Sequence, residues 1–201
     1  MPVRVQPSKG ERTRERLLGA AVGEFRRLGV AKADVRAIAS AAGVAAGTFY
    51  FHFPTKEHVL IELERREEER IANELARFFT NSPGLPAVLA KVVEAVGGLE
   101  RRLGTPLFKD FLALHFSSAR PPEETWTNHP VIVVVVDELR RARDGGAIPP
   151  DVDPLYSGLF FLVGLYALLI TLPDIEPIRG QVLTQYVATS LNGMRIHASN
   201  A

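Results

Sequence analysis

The stretch from Asp34 to Phe53, DVRAIASAAGVAAGTFYFHF, limits what this chain can fold into more than any other. Val35, Ile38, Ala39 and Ala42 recur at the helical period and line one face of a short helix. Gly43 follows, a residue that can take the left-handed conformation in which helices end. Val44 is placed to plug the bend, and a second helix begins near Ala45. In that helix Phe49 and Phe53 lie four apart and share the inward face, so Ala46, Thr48, Tyr50 and His52 project outward or sideways. The pattern predicts two short helices packed at a steep angle, a helix-turn-helix. An ordinary packed helix pair gives the same outline, and Tyr50 and Phe51 also admit a reading as core aromatics.

The remaining sequence is helical in period, with breaks at Gly29, Gly43, Pro54, Pro83 to Pro86, Gly104 to Pro106, Pro121 to Pro122, Gly145 to Pro150 and Pro173 to Pro177. These breaks imply an all-α fold of about nine helices. The first runs from Lys9 to Leu28, with Leu17, Leu18, Ala21, Phe25 and Leu28 on one face, Arg residues on the other, and Gly29 to end it. A second long helix spans Lys56 to Phe79. Its Glu and Arg residues, three or four apart, stabilise the helix by about 0.2–0.5 kcal/mol per pair, so the charge run serves helix stability. The run VIVVVV, Val131 to Val136, has strand preference, because branched Cβ atoms cost helix stability. It has no second strand-like run to pair with and leads into DELRRARDGG, so it is assigned to a helix.

From Leu155 to Leu172 the sequence LYSGLFFLVGLYALLITL is apolar for eighteen residues. That length is just short of the roughly 20 residues that span a bilayer, and Asp151, Asp153 and Asp174 bracket it where basic or aromatic anchors would stand. The alternative to membrane insertion is a helix buried on all sides, between its own core and a second copy of itself.

Charge separates the two ends of the chain. Residues 1–60 hold 10 Lys and Arg against 5 Asp and Glu, and the rest holds 14 against 18. The first sixty residues therefore suit a polyanion, although a solvated basic segment has the same composition. There is no cysteine, which excludes disulfides, thiolate metal sites and a thiol nucleophile. The five histidines are scattered, and no His-Glu-x-x-His motif, glycine-rich phosphate loop or nucleophile elbow is present, so neither an enzyme nor a metal or cofactor site is expected. The first residues lack the apolar core of a secretory signal, and a cytoplasmic protein is expected.

A basic segment with this helix pair suits the major groove of double-stranded DNA, about 12 Å wide, which admits one helix. Ala45, Ala46 and Gly47 permit close backbone approach; Thr48 and Tyr50 can hydrogen-bond bases or phosphates; Arg36 can hold the backbone and His52 can donate to a phosphate. Lys56 opens the next helix, behind Thr55 as N-cap, and its cation and the exposed N–H groups would form a phosphate clamp.

The run VRAIASAAGVAAGTFYFHFPTKEHVL, Val35 to Leu60, together with TRERLLGAAVGEF, Thr13 to Phe25, resembles the tetracycline-repressor (TetR) family of bacterial regulators. DGGAIPPDVDPLYSGLFFLVGLYALL, Asp144 to Leu169, resembles that family's entry into its penultimate, dimer-forming helix. The resemblance implies a three-helix DNA-binding domain over residues 1–57 and a larger helical effector-binding and dimerisation domain over 58–201. It implies a homodimer on an inverted-repeat operator, with the last two long helices of each copy, about Pro154 to Leu172 and Glu176 to Arg195, forming a four-helix bundle. The family's DNA contacts carry over to Arg36, Thr48, Tyr50, His52 and Lys56. Ala45 and Ala46 depart from the family's commoner polar pair, and His58 replaces the usual capping-box acid. The implied function is a repressor released from DNA by a small hydrophobic effector; the alternative is a helix-turn-helix dimer with no such effector, controlled by a protein partner. Candidate pocket residues are Phe78, Phe108, Phe111, Leu112, His115, Phe116, Trp126, Phe160, Phe161 and Tyr166, with His115 and Trp126 favoured because each carries a polar group that can orient a ligand.

Overall fold

A computed structural model describes residues 8–115 and 129–194. Among the described residues there are nine helices and no strand: α1 Lys9–Leu28, α2 Val35–Ala41, α3 Ala46–His52, α4 Lys56–Phe79, α5 Leu85–Leu103, α6 Thr105–His115, α7 Pro130–Asp144, α8 Pro154–Thr171 and α9 Ile178–Gly193. They pack as two units. One holds α1, α2, α3, α4 as far as Arg66, and α6; the other holds α4 from Glu67, α5, α7, α8 and α9. A linear split at 57/58 leaves α6 out of the first unit, which it joins from about fifty residues downstream of α4's start.

Local chemistry sets the first unit's helix ends. Ser8 caps α1 in a capping box: its hydroxyl accepts from the Glu11 N–H at 3.2 Å and its own N–H donates to the Glu11 carboxylate at 2.6 Å. Gly29 closes the helix at φ 77°, its N–H donating to Phe25 O. The Asp34 carboxylate accepts from the Arg36 N–H at 2.9 Å to start α2. Gly43 turns the chain at φ 68°, and the Val44 N–H reaches back to Ala39 O at 3.0 Å. Leu17, Ala21, Phe25, Ile38, Phe49, Phe53 and Val59 are all buried and form the core over which α1, α2 and α3 close.

α6 packs on α1 within this unit. The Asp110 carboxylate accepts from the Val30 N–H at 2.7 Å, fixing the turn after α1. A Cβ on Gly29 would stand 3.3 Å from the same carboxylate, so the turn and the acid fit closely.

In the second unit the VIVVVV run is helical. Pro130 occupies the first turn of α7, where a missing N–H costs nothing, and Val131, Ile132, Val135 and Val136 are buried on one side. Their burial outweighs the modest local cost of branching. Asp153 caps α8 by accepting from the Leu155 N–H at 2.7 Å. Gly158 lets α8 lie against α7: a Cβ there would meet Val136 at 3.0 Å. Gly164 does the same for α9, since a Cβ would run into the Tyr186 hydroxyl, which donates to Phe161 O at 2.6 Å. A buried ion pair, Arg179 with Glu100, ties α9 to α5. Burial raises the Glu100 carboxyl above the ordinary range, against the pull of the Arg179 guanidinium.

In the single chain α8 buries one face, and the second copy that the sequence reading placed on the other is not part of this structure. Gly158, Phe161, Leu162, Leu165, Tyr166 and Leu169 face the core, while Tyr156, Phe160, Val163 and Ile170 are exposed. By length and composition α8 could cross a membrane, and 39% of it is buried within the chain.

Candidate nucleic-acid interface

The inward aromatics of α3 fix its rotation. Phe49 and Phe53 are 0% and 1% exposed, with ring centroids 5.9 Å apart. At 100° per residue this orientation turns Gly47 and Phe51 directly away from the core, with Thr48 and Tyr50 on the flanks. Exposure follows the geometry: Phe51 is 83% exposed and Tyr50 56%. The Tyr50 ring meets Phe49 edge-on at 5.5 Å, leaving its hydroxyl end outward. Arg36, Ala45 and Gly47 are exposed, and Ala46, Thr48 and His52 are half-buried. No atom lies within 4 Å of where a Gly47 Cβ would stand, so the backbone of the first turn is open to close approach.

The sequence reading missed two features of this surface. Phe51 is the most outward side chain of α3, which the i, i+4 relation to Gly47 and its offset from Phe49 already contained. Lys9, Arg12 and Arg16, with Thr13 and Glu15, also line one open groove along α1. Arg16 reaches the helix-turn-helix itself, since a side chain on Gly43 would come within 3.8 Å of its guanidinium. Arg14, one residue away from that stripe's path, turns inward over the Phe53 ring at 4.3 Å and pairs with Glu62 at 3.3 Å.

Lys56 has a second role that the sequence did not suggest. Its ammonium donates to three carbonyls of the turn between α1 and α2, Val30 O at 2.7 Å, Ala31 O at 3.0 Å and Ala33 O at 3.1 Å. An ammonium has three donors, so without DNA all three are used in holding the turn. What α4 can still offer an anion is its first N–H groups. Thr55 lies just before them, its hydroxyl 3.1 Å from His58 Nδ1, so His58 stands where the capping-box acid would.

The model of bacterial regulatory proteins of the tetR family matches residues 17–63, from the middle of α1 into α4. The HTH-type transcriptional regulator UidR of Escherichia coli strain K12 is 27% identical over 171 residues, 84% of each chain. The HTH-type transcriptional repressor KstR of Rhodococcus jostii strain RHA1 is 41% identical over 58 residues, 29% of this chain and 27% of its own. Among solved structures, the TetR-family repressor FadR of Thermus thermophilus, in complex with lauroyl-CoA, superposes with a TM-score of 0.69 at 22% identity, covering 94% of this chain and 98% of that one. Residues 17–63 thus match the tetR-family model, and the whole chain is similar to transcriptional regulators of that kind.

The exposed face of α3 lies within the segment that the family model matches. The candidate effector residues divide. Phe108, Phe111 and Leu112 are buried on α6, and Phe161 and Tyr166 are buried on α8. Phe78 is half-buried beside Phe79, with the Lys91 ammonium 5.9 Å from its ring. Phe160 is 67% exposed and stacks on Tyr156 at 6.1 Å, which removes it from a pocket lining in the single chain. Phe116 and Trp126 lie outside the described residues, and of His115 only the backbone, at the end of α6, is described.

Proposed function

We propose that this protein is a homodimeric repressor of the TetR family that reads an inverted-repeat operator through α3 and leaves it when a small hydrophobic ligand binds in residues 58–201. The observation that carries the reading is the outward face of α3, where Thr48, Tyr50 and His52 surround an open Gly47 backbone and Arg36 stands at the start of α2. Base edges and phosphates are what such a set of donors and bare backbone can approach. Arg36, Ala45, Ala46, Gly47, Thr48, Tyr50 and His52 are assigned to that contact, with α4 contributing its N-terminal N–H groups. Such work on chromosomal DNA would be done in the cytoplasm.

The dimer rests on α8. Tyr156, Phe160, Val163 and Ile170 form an uncharged exposed face, and the second copy of the same face is the partner that a two-fold assembly supplies. Ligand control is supported by α4, a continuous helix beginning next to α3 and running on into the second unit. A tilt of α4 would shift the spacing of two recognition helices that must fit half-sites about one helical turn apart. The class of ligand is supported by FadR of Thermus thermophilus and FadR of Bacillus subtilis, solved with lauroyl-CoA and stearoyl-CoA.

The test is an anisotropy titration on a selected operator, with and without saturated acyl-CoA thioesters of graded length. Release by a coupling of about 1–3 kcal/mol weakens operator affinity about 5–150-fold. Unchanged affinity across the series, with no thermal shift, would remove acyl thioesters as the effector class.

A further inference from the structure

Among the described residues of the first unit Phe51 is the most exposed large apolar side chain, and nothing in the operator contacts assigned above uses it. Its ring points away from the Phe49 and Phe53 core, on the same line of α3 as Gly47, where no side chain covers the approach. The His52 ring meets it edge-on at 5.1 Å and 84°, holding it upright on the helix surface. Ala46 and Gly47 carry no side-chain polar atoms, so in the N-terminal turn of α3 only Thr48 has a side chain that can hydrogen-bond to a base. A phenyl ring has no hydrogen bond to make. What it can distinguish in a major groove is the one apolar group displayed there, the thymine C5-methyl.

We propose that Phe51 is a specificity-determining residue that reads a thymine methyl in each operator half-site. This assignment rests on the operator reading of α3 given above. Phe51 supplies apolar readout at the centre of the recognition face, and Thr48 and Tyr50 hydrogen-bond on either side of it. The two alanines and the glycine before it bring the helix close enough for the ring to touch the groove floor. Burying one methyl against a ring is worth about fourfold in affinity per half-site, and about fifteenfold when both half-sites lose it.

The experiment uses the full-length protein and its selected operator, with each thymine replaced in turn by deoxyuridine, which removes only the methyl. Wild type should lose about fourfold when one thymine of a single half-site is replaced and about fifteenfold when both symmetry-related thymines are, and Phe51→Ala, which removes the ring from both half-sites, should lose about fifteenfold on the unmodified operator and become indifferent to uracil at that position. Because Phe51 is exposed, the variant should keep wild-type thermal stability. A Phe51→Ala protein that weakens with an unaltered uracil profile puts the ring against the sugar–phosphate backbone and overturns the assignment. So does a wild-type profile with no methyl-dependent position. A folded protein that enriches no operator at all overturns the α3 reading itself.

Discussion

α3 and α8 both expose aromatic rings, and the two exposures differ in kind. On α3 Phe51 stands among Thr48, Tyr50, His52 and Arg36, in the part of the sequence where Lys and Arg outnumber Asp and Glu by 10 to 5. On α8 Tyr156, Phe160, Val163 and Ile170 follow one another along eighteen residues with no charged side chain between them. A single ring amid donors and cations meets a partner that is itself polar and charged, with one apolar spot. A continuous apolar face meets another apolar face. Fractional exposure alone does not separate them; the neighbours do.

The largest expected effect is on α8. Phe160→Arg buries a charge in the two-fold contact and should cost about 3 kcal/mol or more, so that sedimentation detects monomers at concentrations where wild type is dimeric. Helix content should be unchanged, and operator affinity should fall with the dimer. A Phe160→Arg protein that remains dimeric would remove α8 from the interface.

Next in size is Tyr50→Ala, the counterpart of Phe160→Arg. Specific affinity should drop about tenfold, about 1.4 kcal/mol, while the dimer stays intact. If both variants lost dimerisation, the two faces would not be separate in function.

Lys56→Ala leaves three turn carbonyls without their donor. A loss of about 1 kcal/mol in urea unfolding is expected, because the three bonds are exposed or part-buried and water can take over the freed carbonyls. DNA affinity should fall through the displaced turn. Full stability with weakened DNA binding would assign the ammonium to the phosphate contact.

The smallest effect concerns the ion pairs of α1 and α4. The Arg66 guanidinium, 2.5 Å from the Glu15 carboxylate, holds Glu15 below the ordinary carboxylate value. Burial would raise Glu62, but Arg65 and Arg66 pull it below that value. Carboxylates depressed in the folded state stabilise it above the ordinary value of 4.5 and lose that contribution as pH falls below it. These pairs are partly exposed and screened, so Glu15→Gln should flatten the acid side of the stability profile by less than about 1 kcal/mol. An unchanged acid slope would show the pair contributes nothing.

Much of this was legible in the residues. The bounds of α1 and α4, the bend at Gly43 and the helical state of VIVVVV follow from local rules of period, capping and pairing. The helical wheel of α3 was legible too, but reading outward residues by alternation passed over Phe51, which a full rotation places opposite Phe49 and Phe53. Other features depend on contacts that local sequence does not encode. Lys56 finds its carbonyls 23 to 26 residues away, and Asp110 finds the Val30 N–H 80 residues away, so neither the lysine's hold on the turn nor the packing of α6 on α1 could be read from local sequence. The exposed half of α8 was hidden for a different reason: an all-apolar helix has no period from which to read its rotation.

Selection of bound sequences from a randomised duplex pool, at a fixed stated salt because phosphate contacts make affinity steeply salt-dependent, tests the operator reading most directly. A two-fold dimer reading DNA through α3 should enrich an inverted repeat whose half-sites lie about one helical turn, ~34–36 Å, or a multiple of it apart. A folded dimer that enriches no sequence, or only a site without two-fold symmetry, would contradict it.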